Sequence, residues 1–256
     1  MNADERPPAK GGGLPSDYAT TVLDILDAVK AEKRKTLDLW EARQALSGMG
    51  VPMDRAVLAV SRDEAVRAAG KIGYPVAMKI VSADIVHKTE VGGVKIDISC
   101  EKDVGEAMDA MMASVRQKQP SAKIRGVLIE EMVRGTELII GSTCDPQFGR
   151  MLMFGMGGVF VEIYKDVSFR LVPIADYDAR EMIGEIKGKA IFEGARGFPK
   201  ADKEAIVRIL LAISAGLQKY PDIEELDINP LMVTDRGIVA VDARVILGEM
   251  GKVCPQ

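Results

Sequence analysis

A formal net charge of −4 and a sequence pI near 5.3 argue against a surface built mainly for nucleic acid or for an anionic membrane. Hydrophobic residues at 47% and charged residues at 28% over 256 positions suit a soluble globular chain, long enough to bury a sizeable core in one domain or two lobes. No apolar run reaches membrane-spanning length and the N-terminus lacks a signal peptide's apolar core, so the expectation is a cytoplasmic protein.

The three cysteines, Cys100, Cys144 and Cys254, are odd in number, far apart and without CxxC spacing. Neither a disulfide framework nor a zinc knuckle is expected from them. A single histidine, His87, excludes a His-rich metal site.

Residues 1–16 are rich in Pro and Gly, poor in apolar side chains, and predicted to be disordered. Ser16 or Asp17 can cap a helix that places Val22, Ile25, Leu26 and Val29 on one face, and the basic run 30–35 then reads as a linker. Thr36 starts a second helix carrying Leu39, Trp40 and Leu46, which stops at Gly48 and Gly50 before Pro52. A strand over 57–60 leads into Ser61-Arg62-Asp63-Glu64, a capping box opening a helix that ends at Gly73. Strands at 75–81 and 94–98 bracket a polar loop, and a helix from about 102 to 118 turns Val104, Ala107, Met108, Met111 and Val115 inward, its methionines serving as core filler.

From Ile124 onward the pattern turns to strands. Runs at 127–132, 137–142, 151–154 and 167–173 read as one antiparallel succession, with turns at Arg134-Gly135 and around Pro146. A helix is predicted over 178–186, irregular chain over 187–200, and an amphipathic helix over 202–219. The described pattern closes with a hairpin of 224–233 and 238–245 turned at Asp235-Arg236-Gly237. Strands and helices without strict βαβ alternation favour an α+β protein over a Rossmann sheet.

The stretch 75–96, PVAMKIVSADIVHKTEVGGVKI, concentrates the candidate chemistry. Lys79 is delivered from a strand, His87 and Lys88 lie in the loop, and Gly92-Gly93 opens the next strand beside Lys95. Glycines let backbone N–H groups approach an anion while the lysines neutralise it, which is how a loop over nucleotide phosphates is built. An imidazole there can accept a phosphoryl group through its neutral nitrogen, or it is an ordinary loop histidine beside a solvated lysine face.

Three further constellations stand out. Glu130-Glu131-Met132, with Glu137 beyond a turn, offers an extended backbone to a base and a carboxylate to ribose hydroxyls, or is a strand edge with solvated glutamates. Gly155, Gly157 and Gly158 make a loop that could close on phosphates, a weak signal alone. Asn229 and Asp242 fall on facing strands of the last hairpin, an oxygen pair suited to Mg²⁺ with phosphates completing its shell, or simply a polar hairpin in which Pro230 marks an edge.

Taken in order, GYPVAMKIVSADIVHKTEVGGVK, GVLIEEMVRGTELIIG, DPQFGRMLMFGMGGVFVE, KDVSFRLVPI and ELDINPLMV with VAVDARV resemble the ATP-grasp domain of the ADP-forming (NDP-forming) acyl-CoA synthetases, relatives of succinyl-CoA synthetase β chains. The resemblance covers about residues 37–247. It implies an α+β ATP-grasp fold of two lobes with nucleotide in the cleft between them. Residues 1–35 are then an N-terminal extension and 36–247 the ATP-grasp domain. Within it the small lobe spans about 53–128 and the large lobe 36–52 plus 129–247, leaving 248–256 as a tail.

The resemblance also assigns roles. Lys79 matches the strand lysine on the nucleotide's α- and β-phosphates, with Lys88, Gly92 and Gly93 in the same loop. Glu130, Glu131 and Met132 match the hinge where adenine binds, Glu137 the ribose carboxylate, and Asn229 and Asp242 the Mg²⁺ ligands. His87 matches the second phosphohistidine of the acyl-CoA synthetases, at a position where succinyl-CoA synthetases have no histidine. The implied reaction is acid + ATP + CoA = acyl-CoA + ADP + phosphate.

The chain carries no GxGxxG fingerprint, no CoA-binding module and no second histidine, so the resemblance implies a β subunit. A separate α subunit, in an α2β2 or similar assembly, would bind CoA and the carboxylic acid. Two other classes stay open: a stand-alone ATP-grasp phosphotransferase, and a non-catalytic nucleotide-binding subunit.

Overall fold

The structure, a computed structural model, describes residues 21–85, 87–158, 165–194, 200–249 and 254. The predicted disorder of 1–16 and the proposed caps Ser16 and Asp17 lie outside the described residues. Helix α1 (Val22–Ala31) is capped instead by Thr21, whose hydroxyl accepts from Asp24 N while Asp24 accepts from Thr21 N. The reciprocal pair satisfies two of the helix's open N–H groups. The predicted face of Val22, Ile25, Leu26 and Val29 is buried.

Helix α2 (Leu39–Gly48) begins later than Thr36, because Asp38 accepts from Glu41 N and Glu41 accepts from Asp38 N. Thr36 instead forms a bridge to Ile246. Strand β1 (Ala56–Ala59) precedes α3 (Arg62–Ile72), with Ser61 as N-cap and Gly73, at φ +94°, as C-cap. The strands β2 (Val76–Val81), β3 (Val94–Ile98) and β4 (Gly126–Glu131) surround α4 (Glu101–Lys118) in sequence.

These four strands form one antiparallel sheet in the order β1-β4-β2-β3. Period-two alternation divides its faces. Val76, Met78, Ile80, Val127 and Ile129 pack with Ala65, Ala69, Val104, Met108 and Met111 of the two helices. On the other face Val81 and Leu128 meet Leu39 of α2.

The second sheet is built from β5 (Thr136–Asp145), β6 (Gly149–Met156), β7 (Val167–Leu171), β8 (Ile223–Thr234) and β10 (Ala243–Leu247), in the order β10-β8-β5-β6-β7. Strand β9 (Gly237–Ala240) pairs only with β8. Leu138, Ile140, Leu152 and Phe154 of this sheet share a core with α1, α2, α5 (Asp176–Glu185) and α6 (Lys203–Lys219). Each such fully buried Leu, Ile or Phe contributes roughly 1.5–3 kcal/mol by leaving water, and α6 adds Ile206, Ile209, Leu210, Ile213 and Leu217 to that core.

Three expectations are corrected. Strand β4 pairs with β1 and β2, not with β5, so the run 124–173 is no single antiparallel succession; the chain changes sheets after Glu131. The C-terminal hairpin is broken: β9 pairs the second half of β8 and β10 the first half, with Val241 and Asp242 between them. Cys144 and Cys254, 110 residues apart, are joined in a disulfide with a Cα–Cα separation of 5.7 Å, leaving Cys100 as the free thiol. A 5.7 Å separation suits such a bridge, and counting cysteines along the chain carries no information about that approach. The stretch 187–200 begins with a 3₁₀ helix, Lys187–Glu193. Among the described residues no helix is long and apolar enough to cross a membrane.

Candidate active site

The chain passes between the sheets at residues 52–56, and that crossing is held on both sides. Ala240 N donates to Pro52 O and Asp54 N to Ala240 O, while Arg55 N and Nε donate to the Glu131 carboxylate. Beside it α2 places Arg43 one turn after Leu39, on the face turned to the small sheet. Arg43 Nη1 donates to Asp54 Oδ1 at 2.5 Å and to Glu130 Oε1 at 3.0 Å, and Nη2 donates to Asp54 O at 2.8 Å.

Glu130 in turn pairs with Lys79, Nζ to Oε2 at 2.8 Å, and Lys79 Nζ donates to Val241 O at 3.0 Å. All four side chains are buried, Glu130 completely. Strand alternation explains the meeting: Lys79 and Glu130 are carried by paired β2 and β4 on the face opposite the helical core.

The electrostatics follow from burial and pairing. Burial works against the charged form of Lys79, but the Glu130 and Asp242 carboxylates outweigh it and hold its pKa above the ordinary lysine value. Burial, with the Glu130 charge, pushes Asp54 up to about 7 despite Arg43. Burial also raises Glu130 against the pull of Lys79 and Arg43. The two carboxyls titrate as a pair, both shifted upward.

Asn229 and Asp242 are adjacent across the break in the last hairpin, Asn229 N donating to Asp242 O at 3.2 Å. Both line a cavity of about 170 Å³ together with Asp227, Arg244, Lys88 and Ser82. Asp242 Oδ1 accepts from Ala243 N at 2.9 Å and faces Lys88 Nζ at 3.5 Å. Burial and the neighbouring Asp242 charge raise the Asp227 pKa, with Arg244 opposing. The donor set, a carboxylate, an amide oxygen and a second carboxylate beside them, fits a hard divalent cation that completes its shell with water and phosphate.

The loop between β2 and β3 carries His87 with its side chain 75% exposed and Nδ1 4.0 Å from Glu90 Oε1. Its neighbour Lys88 is the residue that reaches Asp242. Gly92 and Gly93 shape the turn that ends this loop. Gly92 N donates to Thr89 O at 3.0 Å and Gly93 N to Lys88 O at 2.7 Å, so both N–H groups close the loop on itself and neither is held out for an anion. Glycine is required there by geometry: Gly92 has φ +73°, and a Cβ on Gly93 would lie 2.5 Å from Ile80 Cγ2 and 2.9 Å from Lys88 O. Lys95, paired with Met78, projects from the face opposite Lys79 and does not join the cluster.

The predicted hinge is divided. Glu130 turns its carboxylate into the buried network, and in the sheet it stands between Ala56 of β1 and Ala77 of β2. Glu131 pairs with Arg55 and is not brought to Lys79; its N–H donates to Arg55 O, and that of Met132 to Pro75 O at 3.3 Å. Glu137 is exposed on β5 and lies beside Gly157 and Gly158, which follow β6. Gly157 N donates to Glu137 O at 2.8 Å, and a Cβ on Gly158 would stand 2.8 Å from Glu137 Oε2. Arg43, Asp54, Asp227 and Arg244 were not singled out from sequence. Asp227 lies inside the ELDINP motif and shares a strand face with Asn229, a signal period-two reading could have caught; Arg43 and Asp54 carry no local signal.

A family model described as an ATP-grasp domain matches residues 28–247. The chain is 44% identical over 90% of its length to "Acetate--CoA ligase [ADP-forming] I subunit beta" of Pyrococcus furiosus, covering 100% of that protein. Among solved structures it is similar to a chain of the dinucleotide-forming acetyl-coenzyme A synthetase 1 of Ca. Korarchaeum cryptofilum in complex with coenzyme A, Ca-AMPCP and HgCl⁺. There the TM-score is 0.85 and the identity 42%, over 89% of this chain and 100% of that one. The same synthetase with coenzyme A and Mg-AMPPCP, its phosphohistidine segment pointing towards the nucleotide binding site, gives a TM-score of 0.78 at 38% identity, covering 89% and 100%.

Proposed function

Because this chain belongs to the ATP-grasp family, with the β subunits of the ADP-forming acyl-CoA ligases, we propose that its sheet junction is where ATP hands its γ-phosphoryl group to His87. The observation that carries this reading is the convergence of Lys79 and Lys88 from the small sheet on Val241 and Asp242 of the large one.

Two cations and an oxygen-donor pair meeting at one junction suit a triphosphate with its ion. Lys79 neutralises the α- and β-phosphates, and the chain from Glu130 to Met132 offers main-chain groups to adenine. Glu137 takes the ribose hydroxyls, and Lys88, with the loop of Gly92 and Gly93, covers the phosphates. Asn229 and Asp242 hold Mg²⁺, which when bound neutralises charge on the transferring group.

The neutral nitrogen of His87 supplies an electron pair to the γ-phosphorus. The N–P bond forms as the bond to the bridging oxygen breaks, and ADP leaves with that electron pair. The exposed loop then carries the phosphoryl group to a CoA-binding α subunit, where the carboxylic acid and CoA react. The small lobe on this reading spans about 53–128 and the assembly is α2β2 or similar. The compartment is the cytoplasm, where ATP and CoA are held, and the Cys144–Cys254 bridge is the feature that placement must accommodate.

The test is to copurify this chain with a CoA-binding partner and follow ADP release over a panel of short carboxylic acids. Release that needs acid, CoA and partner together supports the reading. Multiple-turnover ADP release without partner or CoA, beyond the single equivalent that phosphorylating His87 would give, makes the chain a stand-alone phosphotransferase, and nucleotide binding with no turnover makes it a non-catalytic subunit.

A further inference from the structure

The buried charges at the junction do more than fill space. Four ionisable side chains, Arg43, Asp54, Glu130 and Lys79, lie in one chain of contacts where the polypeptide crosses between the sheets, each at most 7% exposed. Burying that many charges is costly, and apolar residues of similar volume would serve stability as well or better. Its geometry runs in one direction. The segment carrying Asp54 is fixed to β9 through Ala240, and Asp54 grips Arg43 twice, by carboxylate and by main-chain carbonyl. Arg43 holds one oxygen of Glu130, and Glu130 turns its other oxygen to Lys79 at 2.8 Å.

We propose that Arg43 and Asp54 are positioning residues for Lys79: through Glu130 they fix the ammonium at the mouth of the phosphate site before nucleotide arrives. Nothing in the roles assigned to the nucleotide site includes either residue. A free lysine side chain loses rotamer freedom when it is immobilised on a ligand. Lys79 is already held by Glu130 and Val241 O, so that ordering is complete in advance. Sharing Glu130 with Arg43 also keeps that carboxylate from closing on Lys79 as a private pair, leaving the ammonium's third proton for a phosphate oxygen. The inference rests on the reading of Lys79 as the phosphate-binding lysine.

The experiment measures ADP and adenosine binding by calorimetry on the full chain, for wild type, Lys79→Met, Arg43→Met, Asp54→Asn and the Arg43→Met/Lys79→Met pair. Lys79→Met should weaken ADP by about tenfold or more while leaving adenosine unchanged, since only ADP carries the phosphates. Arg43→Met should lose ADP affinity to a similar extent, again with adenosine unchanged, and the double variant should be no worse than Lys79→Met alone. If Arg43→Met does not fold, as judged by circular dichroism, the near-isosteric Asp54→Asn carries the same test. A purely structural role would lower the melting temperature and weaken ADP and adenosine alike, or would add to the Lys79→Met loss; either result overturns the proposal. Lys79→Met with wild-type ADP affinity, or no ADP uptake by wild type, would instead sink the reading of Lys79, and is distinguishable because it does not involve Arg43.

Discussion

Lys88 Nζ stands 3.5 Å from Asp242 Oδ1, so the residue next to the loop histidine already neutralises the carboxylate that a metal would use. Both groups are partly exposed, at 20% and 26% of their side chains, and a pair in that setting is worth about 0–1 kcal/mol. That is weak enough for an arriving divalent ion to displace.

The pair therefore sets two opposite expectations for Lys88→Met. Binding of Mn²⁺, as a paramagnetic stand-in for Mg²⁺, should tighten by up to about fivefold because its competitor is gone. Binding of ADP should weaken, because a phosphate-facing cation is gone. Electron paramagnetic resonance and calorimetry read the two separately, and movement of both affinities in the same direction would contradict the arrangement. Asp242→Asn should leave melting nearly unchanged and lower phosphoryl transfer by about a hundredfold or more.

A second prediction concerns pH. The Asp54 carboxyl, ordinarily near 3.8, is pushed up to about 7 in the fold, first by burial and then by Glu130. The folded chain therefore binds more protons than the unfolded chain between about pH 4 and 7. Stability is greatest below that window and falls as pH rises through it. Lys79, also raised, keeps its full contribution below its ordinary value of 10.5 and does not enter. Carboxylates held low by arginine or hydroxyl partners, such as Glu185 at about 2, act only on the acid side. Melting temperatures from pH 4 to 8 should thus decline for wild type and decline less steeply for Asp54→Asn, in which Glu130 and Asp227, also raised by burial, still contribute. Parallel slopes in the two proteins would show that Asp54 is ionised throughout.

How much of this was legible in the sequence depended on the range of the interaction. Helices announced themselves through side chains three and four apart, and Val22, Ile25, Leu26 and Val29 are buried as their spacing requires. Strands were legible as apolar runs, but their partners were not: β4 reads like the strands after it and pairs with those before it. Asn229 and Asp242 were found because a motif carries them, and the structure places them side by side. Arg43 and Asp54 were invisible because a single arginine in an amphipathic helix and a single aspartate before a strand are ordinary locally. Only the crossing of the chain between two sheets brings them to Glu130. Gly92 and Gly93 were legible as glycines, but the hydrogen bonds by which their N–H groups close the loop on Thr89 and Lys88 were not.

A third prediction is a thiol count. With Cys144 and Cys254 bridged and Cys100 exposed, native protein purified without reductant should react with Ellman's reagent at one thiol per chain. Denaturation without reductant should leave that count at one, and reductant should raise it to three, the total cysteine content. Three reactive thiols in denatured, unreduced protein would show the bridge to be open, in keeping with a reducing compartment.

The last prediction tests His87 as the phosphoryl acceptor. Its imidazole is largely exposed, one residue from the lysine that touches Asp242 and in a loop whose base is closed by Gly93 N on Lys88 O. A ring so placed can leave one site for another without dismantling a core, which is what a carrier between two subunits needs. A phosphoryl group on nitrogen is labile in acid and stable in alkali, and this is the only imidazole in the chain. Incubation with γ-labelled ATP and Mg²⁺ should give a label lost in acid, kept in alkali, and absent from His87→Ala. The assay belongs in the complex, because the loop's movement between two sites is complete only when both are present; mutating any acceptor histidine of the partner keeps the two labels apart. Nucleotide affinity of His87→Ala should stay at the wild-type value, since the ring lies outside the contacts that hold Lys79. Full CoA-ligase turnover by His87→Ala would reduce the residue to an ordinary loop histidine and move the transfer step elsewhere.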